Sequence, residues 1–137
     1  MMSVNYWAVL VSAIVSMVIG SIWYGPLFGK LFMREMGMDK WSKEKQNEMK
    51  KGMALSYLGQ FVASLVMFYF VAVLMIGIGN MTLRASLLMG ALVWVGFVVP
   101  IKLGDAIWGG KKVLFLLGIG NMLITLLAAC AIIGTWR

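Results

Sequence analysis

The chain has 137 residues, 62% of them hydrophobic and 12% charged, with a mean hydropathy of +0.93. A soluble domain carries about half apolar and a quarter charged residues, so the composition excludes an ordinary water-soluble fold and leaves no room for a separate soluble domain. The net charge of +7 does not point to nucleic acid, because no basic face with base-stacking aromatics appears. The basic residues lie beside apolar runs, where membrane orientation and anionic lipid headgroups account for them.

Apolar runs of about 20 residues are long enough to cross a hydrocarbon core of roughly 30 Å at 1.5 Å per residue. The first covers about residues 5–24. Tyr6 and Trp7 at one end, and Trp23 and Tyr24 at the other, suit the two aromatic belts of a bilayer. Residues 1–29 carry no charge, whereas a secretory signal begins with one, so this run is expected to be an uncleaved anchor. Pro26 is expected to stop the helix, since proline lacks the amide donor and steers Gly25 out of the α region.

Beyond the proline, Phe28, Leu31, Phe32 and Met36 recur at helical spacing while Lys30 and Arg34 take the intervening face. That pattern predicts a short helix lying in the interface. The polar stretch up to Lys51 follows, with Asp39 or Ser42 available to cap a polar helix. The second span covers about 53–78 and ends at a glycine turn signal near Asn80. The third covers about 85–101, weakened at its end by Pro100. Residues 102–112 then read as a loop, and the fourth span covers about 113–133.

Orientation follows from the basic residues. Seven of them (Lys30, Arg34, Lys40, Lys43, Lys45, Lys50 and Lys51) lie in the first loop, and Lys102, Lys111 and Lys112 lie in the third. Only Arg84 and Arg137 fall on the opposite side. Both basic loops are therefore expected in the cytoplasm, and both termini outside a cytoplasmic membrane. The expected fold is an all-α integral membrane protein: four transmembrane helices in a compact bundle, with a short interfacial or cytoplasmic helix between the first two.

In lipid, small residues and interhelical hydrogen bonds drive helices together rather than apolar burial. Small or polar residues recur every four positions in each span: Ala8, Ser12, Ser16 and Gly20; Gly52, Ser56, Gln60 and Ser64; Ser86 and Gly90 before Trp94; Gly118, then Asn121, Thr125 and Ala129. These predict the inward faces. Ser16, Gln60, Trp94 and Asn121 each lie eight or nine residues from the basic end of their span, a depth of about 12 Å. They form a candidate intramembrane polar layer, either a set of interhelical hydrogen bonds or a site for solute or water.

The ingredients of catalysis are sparse. There is no histidine, and Cys130, the one cysteine, lies inside the last apolar run, where it reads as a small buried residue. Four of the five carboxylates, Glu35, Asp39, Glu44 and Glu48, fall in the first loop. An enzyme is not expected, nor a metal or other cofactor. Thioethers at Met33, Met36 and Met38 suit Cu(I), but thirteen methionines make chance clustering the simpler account. Lys102 and Asp105, three apart, form a candidate cytoplasmic gate or lipid contact. Trp23, Tyr24, Gly25, Pro26, Gly29 and Lys30 form a candidate interfacial boundary motif.

The run Asn5-Tyr6-Trp7-Ala8-Val9-Leu10-Val11, followed by Trp23-Tyr24-Gly25-Pro26-Leu27-Phe28-Gly29-Lys30, resembles the DUF1761 family of small membrane proteins. Trp94-Val95-Gly96-Phe97-Val98-Val99-Pro100 and Asn121 fit the same pattern, while Asp105 and the Gly109-Gly110 pair depart from it. The resemblance implies a four-span integral membrane protein of about this length and carries no activity over to it. The sequence thus favours a non-enzymatic membrane protein, working as a homo-oligomer or as a small-solute channel or transporter. The alternative is a scaffold binding another membrane protein or anionic lipid through residues 27–51.

Overall fold

The computed structural model describes residues 4–37, 40–79, 82–109 and 111–136. Seven α-helices and two π-helical turns follow one another: α1 (Tyr6–Ile22), a π turn (Trp23–Leu27), α2 (Gly29–Met36), α3 (Lys43–Lys51), α4 (Met53–Ile78), α5 (Leu83–Val93), a second π turn (Trp94–Val98), α6 (Val99–Trp108) and α7 (Lys112–Thr135). No strand occurs among the described residues. Joined across their π turns, these helices give four segments long and apolar enough to cross a membrane: Tyr6–Leu27, Met53–Ile78, Leu83–Trp108 and Lys112–Thr135.

Local chemistry sets the helix starts. The Asn5 side-chain oxygen accepts from the Ala8 amide at 3.2 Å, Thr82 from Ala85 at 3.1 Å and Ser42 from Lys45 at 3.2 Å. Each satisfies an amide that the first helical turn leaves without a partner. Asp39, the other expected cap, lies outside the described residues, as do Met38, Asn80, Gly110 and Arg137. The segment joining the first two spans contains two short helices, the interfacial α2 and the polar α3. Gly37, with φ of 75°, ends α2 in the left-handed region that glycine enters without penalty.

Neither proline ends its span. Pro26 lies within the first π turn, where the Phe28 amide reaches back five residues to the Trp23 carbonyl at 2.9 Å. Pro100 stands in the first turn of α6, just after the second π turn, where the Val99 amide returns to the Trp94 carbonyl. A widened turn accommodates the missing donor, and the chain stays helical. The third span therefore continues past the expected end at Ile101 to Trp108, and residues 102–108 are helix rather than loop.

α1 and α7 run along each other at the centre, with α4 against α1 and α5 against α7. The core formed by Ala8, Val9, Ala13, Phe68, Val71, Met75, Met89, Leu126, Ala129 and Cys130 lies entirely in the half of the bundle away from the basic segments. Small residues permit that packing. A Cβ on Gly90 would come within 3.1 Å of the Leu126 carbonyl oxygen, and one on Gly134 within 2.7 Å of the Ser86 Cβ. Ser86 is fully buried, and its hydroxyl donates to the Thr82 carbonyl at 2.9 Å. At the same end, the Asn5 amide donates to the Trp136 carbonyl at 2.9 Å, fastening the start of α1 to the end of α7.

Candidate functional site

The other half of the bundle is not filled. A cavity of about 460 Å³ opens among α1, α4 and α7, with Lys102 of α6 also lining it. Its size falls within the range of small-molecule sites. α1 and its π turn contribute Ser16, Gly20, Ser21, Tyr24 and Gly25. α4 contributes Tyr57, Gln60 and Ser64, and α7 contributes Gly118, Asn121 and Thr125. Ser64 and Thr125 are buried, whereas Ser21, Gly25, Tyr57 and Lys102 are exposed. The floor of the cavity therefore lies against the packed core and its mouth faces the basic end.

The hydrogen-bond pattern of the lining is uneven. Ser16 donates to the Ala13 carbonyl at 2.7 Å and Ser21 to the Met17 carbonyl at 2.8 Å, so both hydroxyl protons are used within α1. Their oxygens remain as acceptors. The Gln60 amide donates to the Ser64 hydroxyl at 3.4 Å, along the same helix. Asn121 Oδ1 and Thr125 Oγ1 are buried and have no partner within the protein. Lys102 is the one charged residue in the lining, and no carboxylate accompanies it.

Three of the four residues expected in a polar layer, Ser16, Gln60 and Asn121, meet at this cavity. None bonds to another. Trp94 does not line it; its indole N–H donates instead to the Ile119 carbonyl of α7 at 2.7 Å. Lys102 and Asp105 are both exposed and form no ion pair, and Asp105 stands outside the cavity. Sequence alone had given no reason to connect Lys102 with Asn121, because it placed Lys102 in a loop.

The boundary motif divides in the same way. Trp23, expected in a headgroup belt, is turned into the bundle. Its ring lies against Gly120, where a Cβ would come within 2.8 Å of the ring carbon Cζ2, and its buried indole N–H has no partner. Tyr24 and Gly25 line the cavity. Gly29 is buried against the Tyr24 carbonyl, 2.9 Å from where a Cβ would stand, and Lys30 is exposed. Phe28 packs on Trp23 with ring centroids 4.8 Å apart, and Phe32 meets Tyr24 edge-on at 4.9 Å. α2 is thereby held against the cavity rim.

Among the described residues, no group of three or more His, Cys, Asp or Glu side chains is placed to hold a metal ion. No curated protein and no solved structure matches the chain. A family profile described as "Protein of unknown function (DUF1761)" matches residues 7–134. That match spans all four membrane-crossing segments but for their outermost residues, and the chain belongs to the DUF1761 family.

Proposed function

We propose that this protein binds a small polar solute in the cavity among α1, α4 and α7 and passes it across the membrane. The observation that carries this reading is the pair Asn121 Oδ1 and Thr125 Oγ1, both buried at the cavity without a protein partner. An unsatisfied polar group in an apolar interior costs about 1–3 kcal/mol, and a bilayer core offers no water to relieve it. A purely structural bundle would bury apolar groups at these positions. Here they border a space large enough for water or a solute to complete their hydrogen bonds.

The packed core supplies the closed side of such a path and the cavity its open side. With ten basic residues at the open end against two at the other, the cavity faces the cytoplasm in this reading and both termini lie outside. The cavity forms within one chain, so the path is intramolecular and an oligomeric pore is not required. Transport then depends on relative motion of the helices that meet around Ser86, Met75 and Gly134.

The test is osmotic swelling of liposomes containing the full chain, with glycerol, urea and glycerate as solutes. The reading predicts faster swelling than in protein-free liposomes for at least one solute, and a return to the protein-free rate with Asn121→Leu. Swelling no faster than in protein-free liposomes for all three would contradict it.

A further inference from the structure

We propose, building on the solute-binding reading above, that the ligand of this cavity is a small acid bearing hydroxyl groups. Its acidic group is held by Lys102 at the mouth, and its hydroxyls by Asn121 and Thr125 near the floor.

Charge selects the acidic end. Lys102 lies inside the third membrane-crossing segment rather than beyond it, and it is the one charged residue lining the cavity. A charged side chain within a span is costly unless it is paired or reaches water, and it marks a ligand path by default. Asp105, one helical turn away, forms no ion pair with it. The ammonium offers three donors and no acceptor, so its complement is an anion. A cationic or zwitterionic ligand fits poorly, because no carboxylate in the lining would meet its positive group.

Hydrogen-bond polarity selects the other end. Asn121 Oδ1 is an orphan acceptor, and Thr125 Oγ1 both accepts and donates. The Ser16 oxygen, its proton already committed to Ala13, adds a further acceptor. Acceptors without donors call for O–H groups on the ligand. From Gly118 to Thr125 the cavity follows α7 for about 10 Å, and Met17, Met67 and Met122 provide apolar wall between its ends. A short carbon chain with an acid at one end and hydroxyls along it matches that order. The same chemistry occurs in a free hydroxy acid and in the glycerol-phosphate headgroup of an anionic lipid.

The test measures equilibrium binding to the full chain in phosphatidylcholine nanodiscs, with glycerate, propionate and glycerol as probes. Glycerate carries both features, propionate only the acid and glycerol only the hydroxyls. Glycerate is expected to bind about tenfold or more tightly than either, because a site built to bond a hydroxyl rejects an analogue that lacks it. Lys102→Met should bring glycerate to the level of glycerol, and Lys102→Arg should restore the difference. The double variant Asn121→Leu, Thr125→Val should bring glycerate to the level of propionate. Circular dichroism and a single elution peak identify the variants that remain folded, and the wild-type probe ranking stands independently of them.

Repeating the glycerate titration in discs containing phosphatidylglycerol separates the two sources. Unchanged affinity assigns the site to a free acid, and competition dependent on Lys102 assigns it to the lipid headgroup. Equal binding of glycerol and glycerate by the wild type would overturn the assignment of the ligand while leaving a solute-binding cavity in place. Failure of all three probes to bind would overturn it as well.

Discussion

The Trp94 indole N–H donates to the Ile119 carbonyl of α7 at 2.7 Å, and Trp23 lays its ring against the next residue, Gly120. Each tryptophan opens a π turn, one in the first span and one in the third. The two widened turns therefore seat their aromatic residues on the same short stretch of α7, beside Asn121. This contact fixes how far α7 stands from its neighbours at the level of the cavity.

Gly120→Ala should be costly for that reason. Its Cβ would stand 2.8 and 3.1 Å from carbons of the Trp23 ring, and a half-buried indole cannot yield without disturbing Phe28. Overpacking of this kind costs about 1–3 kcal/mol. Trp94→Phe removes one interhelical hydrogen bond, worth about 0.6 kcal/mol on average in membrane proteins. Unfolding by a denaturing detergent should rank the variants in that order, and a Gly120→Ala protein as stable as wild type would refute the contact.

At the opposite end, Gly134→Ala should destabilise the bundle through Ser86. The new methyl would fall within 2.7 Å of the Ser86 Cβ in a fully buried site. Ser86→Gly in the same chain should recover much of the loss, whereas Ser86→Ala, which keeps the Cβ, should recover little. A double-mutant cycle measures this coupling, and an additive result would rule out direct contact.

Asn121→Leu should separate stability from function. It removes an unsatisfied carbonyl oxygen from a buried position, so the fold should be unchanged or more stable by about 1 kcal/mol, while solute movement is lost. Such a trade is expected where a strained or unsatisfied group serves activity. A loss of stability above about 1 kcal/mol would mean that Asn121 serves packing instead.

Orientation has its own test. In a Cys130→Ala background, Lys45→Cys should resist an impermeant thiol reagent applied to intact cells and react once the membrane is opened. Labelling from outside would reverse the assignment of both basic segments to the cytoplasm.

The limits of the sequence are visible at particular residues. The second span, Met53–Ile78, agrees with its hydrophobic run end for end because glycine turns flank it. The third does not, because a proline signals a break only if the turn cannot widen. The π turn at Trp94–Val98 widens, and it carries Lys102 onto a helix. Helical depth was legible and brought Ser16, Gln60 and Asn121 to one level. Azimuth was not, which is why Trp94, equal in depth, binds Ile119 instead of joining them. The cavity itself depends on helices that pack at one end and diverge at the other, a property of the assembled bundle that no single span encodes.

The central claim, a solute-accessible cavity inside the bundle, is tested most directly by thiol accessibility at its floor. Thr125→Cys in the Cys130→Ala background should react with a small water-soluble thiol reagent applied from the basic side of oriented vesicles, and glycerate should slow that reaction. A thiol at 125 that stays unreactive, while one at the exposed position 57 reacts freely, would show a dry bundle and contradict the account.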